Sequence, residues 1–134
     1  MEKESILMVE DDQQVLLNFE KTLSKEGYNT KVADNVEKAL KLIKENKYNL
    51  ILMDIEMKRI NGMQILEETK KISPETEVIL IVGYESADVA FDTLRKDAID
   101  FIVKPCEKGE LRIRIKHALE KQKLEKKRYA LSIN

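Results

Sequence analysis

Five short apolar runs, each followed by a longer amphipathic stretch, constrain this chain more than any other feature. Ile6-Leu7-Met8-Val9, Leu50 to Met53, Val78 to Val82 and Phe101 to Val103 read as strands, and Thr30 with Val32 marks a shorter, more polar one. Between them lie helical spacings of three and four: Leu16, Phe19 and Leu23; Val36, Ala39, Leu40 and Ile43; Met63, Leu66 and Thr69; Ala90, Phe91 and Leu94; Leu111, Ile115 and Ala118. The punctuation agrees with this division. Gly27 stops the first helix, Asp34 or Asn35 caps the second, the third ends before Pro74, Ser86 caps the fourth and the fifth starts near Glu107. Strictly alternating strands and helices predict a single α/β domain, a doubly wound five-stranded parallel sheet with five helices on its two faces. Nearly pure Val, Ile, Leu and Met in four strands fits a sheet covered on both sides, and the polar second strand belongs at an edge.

Charge and length exclude several classes. The 134 residues carry 24 basic and 25 acidic side chains, so a net charge of −1 leaves no long-range field to attract nucleic acid or an anionic membrane. The longest unbroken apolar run, Val78 to Val82, falls far short of the roughly 20 residues a bilayer span needs. Met1 to Ser5 lack the apolar core and cleavage site of a signal peptide. A single cysteine, Cys106, forms no internal disulfide and suits a reducing cytoplasm. We expect a cytoplasmic protein that binds neither membrane nor nucleic acid through this domain.

The chemistry gathers where strands end. In an open parallel sheet, ligands bind beyond the carboxyl ends of the strands. Glu10 and Asp11 leave the first strand there, Asp54 the third and Lys104 the fifth. Acids at strand ends can simply cap the following helix, which is the reading we prefer for Asp12. Three carboxylates converging at one end repel, so at least one should have a raised pKa unless a cation neutralises them. Oxygen-only donors point to Mg²⁺, which takes one or two direct carboxylates and keeps several waters.

The segments ILMVEDD, LILMDIEMKRING and AIDFIVKP, in that order and spacing from Ser5 to Leu119, resemble the receiver domain of two-component response regulators. The resemblance implies the flavodoxin-like strand order 2-1-3-4-5. It implies that Asp54 is phosphorylated by a phosphohistidine of a sensor histidine kinase or phosphotransfer protein, giving an acyl phosphate. Asp11 would then bind Mg²⁺ directly and Glu10 through water, with Asp54 and the backbone carbonyl of Glu56 completing the protein ligands. Lys104 would pair with the phosphoryl oxygens, and Lys104–Pro105 would be cis. Phe101 would be the aromatic switch residue. Such a module is not a turnover enzyme. It catalyses only its own phosphorylation and dephosphorylation within a phosphorelay, and its partners would be the kinase and a downstream effector, with homodimerisation left open. His117, the only histidine, is expected at the surface or partly packed, and Cys106 as a small packed thiol.

Three positions depart from the family pattern. Val82 stands where relatives carry Thr or Ser, removing a hydrogen bond to the phosphoryl group of a kind worth roughly 1.5–3 kcal/mol. Lys58 replaces a proline after the acceptor, and Asp97 replaces a glycine at the end of the fourth helix. The Val82 substitution bears on the conformational switch more than on the acceptor. It motivates a rival reading, a phosphorylation-independent pseudo-receiver that binds its partner constitutively. An aspartyl-phosphate phosphatase is disfavoured because Asp54-Ile55-Glu56 lacks the second aspartate of DxDxT, and a flavin carrier because the first loop is acidic.

Residues 4–120 form the expected receiver domain and residues 121–134 a helical C-terminal extension or linker. From Lys116 to Arg128 six Lys or Arg face two Glu, as expected of a solvated continuation of the last helix. Neither heptad frame through it gives an apolar seam, since Gln122 and Glu125, or Glu120 and Lys127, would occupy the core positions.

Overall fold

Side chains alternate across a pleated strand, so an apolar run covered on both sides feeds two cores at once. The computed structural model, which describes residues 3–55, 62–83, 88, 100–104 and 107–132, is built on that principle. Strands β1 (Ser5–Val9), β2 (Asn29–Ala33), β3 (Leu50–Asp54), β4 (Glu77–Val82) and β5 (Asp100–Val103) form one sheet in the order 2-1-3-4-5. All four pairings are parallel. Among the described residues there are four helices, α1 (Gln13–Lys25), α2 (Val36–Glu45), α3 (Gly62–Ile72) and the C-terminal α4 (Lys108–Ser132), which is the fifth of the predicted helices. The predicted fourth helix, capped by Ser86 and carrying Ala90, Phe91 and Leu94, falls, apart from Asp88, outside the described residues.

Leu7, Val9, Ile51, Met53, Val78, Leu80 and Val82 point to one face, where they pack with Ala39 and Ile43 of α2 and Ile65 and Leu66 of α3. Ile6, Met8, Leu50, Leu52, Ile79, Ile81 and Ile102 point to the other, against Leu16 and Leu23 of α1 and Leu111, Ile115, Ala118 and Leu119 of α4. Each fully buried Leu or Ile contributes about 1.5–3 kcal/mol by leaving water, which is what holds the helices on. Strand β2 alternates exposed and half-buried positions and lies at an edge, as its polarity predicted.

Local chemistry sets the helix ends. Asp12 is the N-cap of α1, its carboxylate accepting from the N–H groups of Gln14 (2.9 Å) and Val15 (3.2 Å). Asn35, rather than Asp34, caps α2 by accepting from the Lys38 N–H at 2.8 Å. Helix α1 closes with paired bonds from Gly27 N–H to Ser24 O (3.1 Å) and Tyr28 N–H to Leu23 O (3.2 Å). That closure needs the left-handed backbone of Gly27, at φ +93°.

The amino end of the sheet is sealed by polar groups. Asn49 and Ser5 exchange two bonds, Ser5 N–H to Asn49 Oδ1 at 2.8 Å and Asn49 N–H to Ser5 O at 2.9 Å. Gln122 of α4 is buried against this end. The packed face of α4 therefore runs from Leu111 to Gln122, beyond the seat at Leu111, Ile115 and Ala118 that spacing predicted. His117 is exposed, as expected.

Candidate functional site

Register carries the carboxyl ends of the strands to one level. Val9 lies beside Met53, Asp54 beside Ile81 and Val82 beside Val103. The ladders continue one residue past the strands, with Glu10 N–H bonded to Ala33 O (3.1 Å), Ile55 N–H to Ile81 O (3.1 Å) and Lys104 N–H to Val82 O (2.7 Å). Glu10, Asp54 and Lys104 are thus held by sheet hydrogen bonds rather than by free loops, which gives their side chains fixed starting points.

Asp54 is 2% exposed and ends a strand in which every residue is buried. Its Oδ2 makes an ion pair with the Lys104 ammonium, whose side chain is 42% exposed, so the pair is open to water from the lysine side only. Glu10 is 5% exposed, and its Oε1 accepts from the following N–H groups of Asp11 (3.0 Å) and Asp12 (3.1 Å). Its carboxyl is pushed up to about 8, first by burial, then by hydrogen bonding to Asp54 and by the Asp54 charge; the Asp12 N–H works in the opposite direction. The raised carboxyl expected among converging acids is therefore Glu10, and desolvation outweighs repulsion as its cause.

These donors suit a hard cation in kind. Among the described residues no group of three or more His, Cys, Asp or Glu is gathered closely enough to hold an ion alone. A cation that needs only one or two carboxylates, with waters and a backbone carbonyl for the rest, matches such a set. Glu56, whose carbonyl is the expected further ligand, lies outside the described residues, as do Lys58, Asp97, Pro105 and Cys106.

Val82 and Phe101 both lie on the α2–α3 face. Val82 is fully buried in the core there, and Phe101, half-buried, packs against the same cluster. The Phe101 N–H bonds to the Asp100 carboxylate (2.8 Å), which is also gripped by both contacts of Arg114 Nη1, at 2.9 and 2.8 Å. Sequence reasoning had singled out neither Arg114 nor Asp100. An acid at the start of the last strand and a basic residue in the following helix were the only available signals.

A five-stranded sheet in this order, with buried acids at two neighbouring strand ends and a lysine at a third, defines a class. The chain belongs to the response regulator receiver domain family, which it matches over residues 6–116. It is 31% identical over 92% of its length to the transcriptional regulatory protein ZraR of Klebsiella oxytoca, of which it covers 28%. Among solved structures it resembles a CheY-like response regulator receiver domain protein from Methanospirillum hungatei JF-1. That likeness has a TM-score of 0.86 and 31% identity, covering 92% of this chain and 99% of that one. It also resembles NtrX from Brucella abortus, solved in complex with ATP, with a TM-score of 0.91 and 31% identity over 97% of this chain and 30% of that one. The chain spans 26–28% of the length of the first curated relatives it matches. It is a receiver domain of the kind found in two-component response regulators, and no helix among the described residues is long and apolar enough to cross a membrane.

Proposed function

We propose that this chain is a phosphoacceptor switch: Asp54 takes a phosphoryl group from a phosphohistidine of a sensor kinase or phosphotransfer protein, and the acyl phosphate changes a protein-interaction surface. The observation that carries this reading is the ion pair of Lys104 with a carboxylate that is otherwise buried at the end of β3. Phosphoryl transfer passes through a loose transition state, so the protein's work is positioning and charge neutralisation. One Asp54 oxygen attacks phosphorus as the bond to the imidazole nitrogen breaks, and the imidazole leaves with a proton. The Lys104 ammonium follows the charge from the carboxylate onto the transferred phosphoryl oxygens. Water later cleaves the acyl phosphate and restores Asp54.

Asp11, Glu10, Asp54 and the carbonyl of Glu56 would hold Mg²⁺, which supplies further neutralisation of phosphoryl charge when bound. The kinase and an effector are the expected partners, residues 4–120 the receiver unit and residues 121–134 the linker towards that effector.

Intact-mass spectrometry after incubation with Mg²⁺ and a small-molecule phosphodonor tests this reading. One added phosphoryl group, absent in Asp54→Asn and in EDTA, is expected. No addition from a donor or from a phosphorylated kinase, under conditions that modify other receivers, would favour the constitutive binding module that Val82 suggests.

A further inference from the structure

Gln122 is 3% exposed, yet it lies in α4 about one turn beyond Ala118, the last contact that spacing predicted. Its Nε2 donates to Asn49 O (2.8 Å) and Glu75 O (2.7 Å), and its Oε1 accepts from Asn49 Nδ2 (3.3 Å). One side chain therefore ties the C-terminal helix to two segments that are 73 and 47 residues away.

The segment at Glu75 is itself fastened to α3. Ser73 N–H bonds to Thr69 O (2.7 Å), Thr76 N–H to Ser73 O (3.0 Å), and the Thr76 hydroxyl to Tyr48 O (2.8 Å). Lys70 reaches forward from α3 to Thr76 O (2.7 Å) and Pro74 O (3.3 Å), the carbonyls on either side of Glu75. Helix α3 begins at Gly62, whose Cα neighbourhood includes the Ile55 backbone and the Met53 side chain beside Asp54, and ends at this turn. It thus runs from the candidate site at one end of the sheet to the turn at the other. Leu119 holds α4 by apolar contact, which is not directional. The Gln122 bonds are directional and fix where the helix sits relative to the turn.

We propose that Gln122 is a positioning residue that couples the turn after α3 to the C-terminal helix, so that turn and helix loosen or shift together. This link touches neither Val82 nor Phe101, and it holds whether or not Asp54 accepts a phosphoryl group. In a chain without the strand-four hydroxyl, it connects the site end of α3 to the helix that leaves the domain by another route.

Amide hydrogen exchange on the full chain, with Gln122→Met and Lys70→Met, tests it. Gln122→Met keeps side-chain volume while deleting the donors. It is expected to speed exchange at the Thr76 and Glu77 amides as well as in α4 from Leu119 onward, by about fivefold or more. Lys70→Met changes only the turn side, and the same helix amides are expected to speed up by about fivefold, because coupling between two sites is reciprocal. Amides of Leu50 to Met53 serve as the reference and stay unchanged. The proposal is overturned if each variant loosens only its own segment, or if Leu50 to Met53 speed up equally, which would make the effect one of global stability.

Discussion

Two buried threonines offer a sharp test of how hydrogen bonds hold this domain. Thr76 and Thr69 are 1% and 0% exposed, and Thr→Val makes the same chemical change at both. At Thr76 the hydroxyl donates to Tyr48 O at 2.8 Å and shares a 2.7 Å bond with the Ser73 hydroxyl. Valine strands the Tyr48 carbonyl in a buried place, at a cost of about 1–3 kcal/mol, while the Ser73 hydroxyl keeps the Glu75 carboxylate as a partner. Burying the new methyl returns about 0.8 kcal/mol. The expected net loss for Thr76→Val is therefore about 1–2 kcal/mol. At Thr69 the hydroxyl donates to Ile65 O at 2.7 Å, a carbonyl inside α3 that the helix's own N–H already engages. Nothing is stranded there, so Thr69→Val stays within about 0.5 kcal/mol of the parent. Urea denaturation reads both values. With a slope of about 1.5 kcal/mol/M, Thr76→Val lowers the midpoint by about 1 M while Thr69→Val barely moves it. Equal shifts, or a larger one at Thr69, would refute the premise that stranded partners rather than lost hydroxyls set the cost.

Other perturbations follow from single positions. Burial raises the Glu77 carboxyl, opposed by Lys70 and reinforced by the Glu125 charge. The folded state then holds that proton more tightly than the unfolded one, so the site costs stability as pH rises above the ordinary carboxylate value and nothing well below it. Glu77→Gln is accordingly expected to raise Tm at pH 7 and to leave it unchanged near pH 3; a gap that does not grow with pH contradicts this. Val82→Thr places a hydroxyl in the α2–α3 core and is expected to cost about 1–2 kcal/mol in the resting protein. That deficit should shrink when beryllofluoride and Mg²⁺ are added, as measured by parallel urea titrations. Gly27→Ala meets open space around the new Cβ but must adopt φ near +93°, so a loss of about 1–2 kcal/mol, with no crowding to relieve, is expected in the same assay.

The strands and helix ends were legible because their signals are local. An apolar run between polar punctuation needs no distant partner to be recognised, and Asp12, Gly27 and Asn35 act within a few residues of themselves. The strand-end acids and Lys104 were legible for a different reason: parallel topology brings equivalent ends to one level, so position along the chain predicts position in space. Gln122 was not legible. One heptad frame places it at a core position as a polar interruption, because its acceptors are backbone carbonyls of Asn49 and Glu75, and a carbonyl has no letter in a sequence. The bifurcated hold of Arg114 Nη1 on both oxygens of Asp100 was hidden similarly, since nothing local distinguishes it from the other basic residues of a charged helix. Glu10 was marked as chemical, but the main cause of its raised pKa, burial, depends on how three strands close around it.

The sheet also divides the chain's residues into two populations that scarcely meet. Leu7 and Met8 are neighbours along the backbone, yet Leu7 shares its surroundings with Ile43 and Leu66, and Met8 shares its surroundings with Leu16 and Ile115. Energetic non-additivity arises from shared contacts, so paired substitutions within one population are coupled while pairs drawn across the sheet sum nearly independently. Apolar repacking under α1 and α4 is therefore expected to leave the apolar layer under α2 and α3, with Val82 and Phe101, largely undisturbed, and the polar contacts of Gln122 and Arg114 are where the two sides still communicate. The apolar seat of α4 and the apolar layer around Val82 are therefore free to diversify at separate rates, so long as the polar contacts of Gln122 and Arg114 are kept.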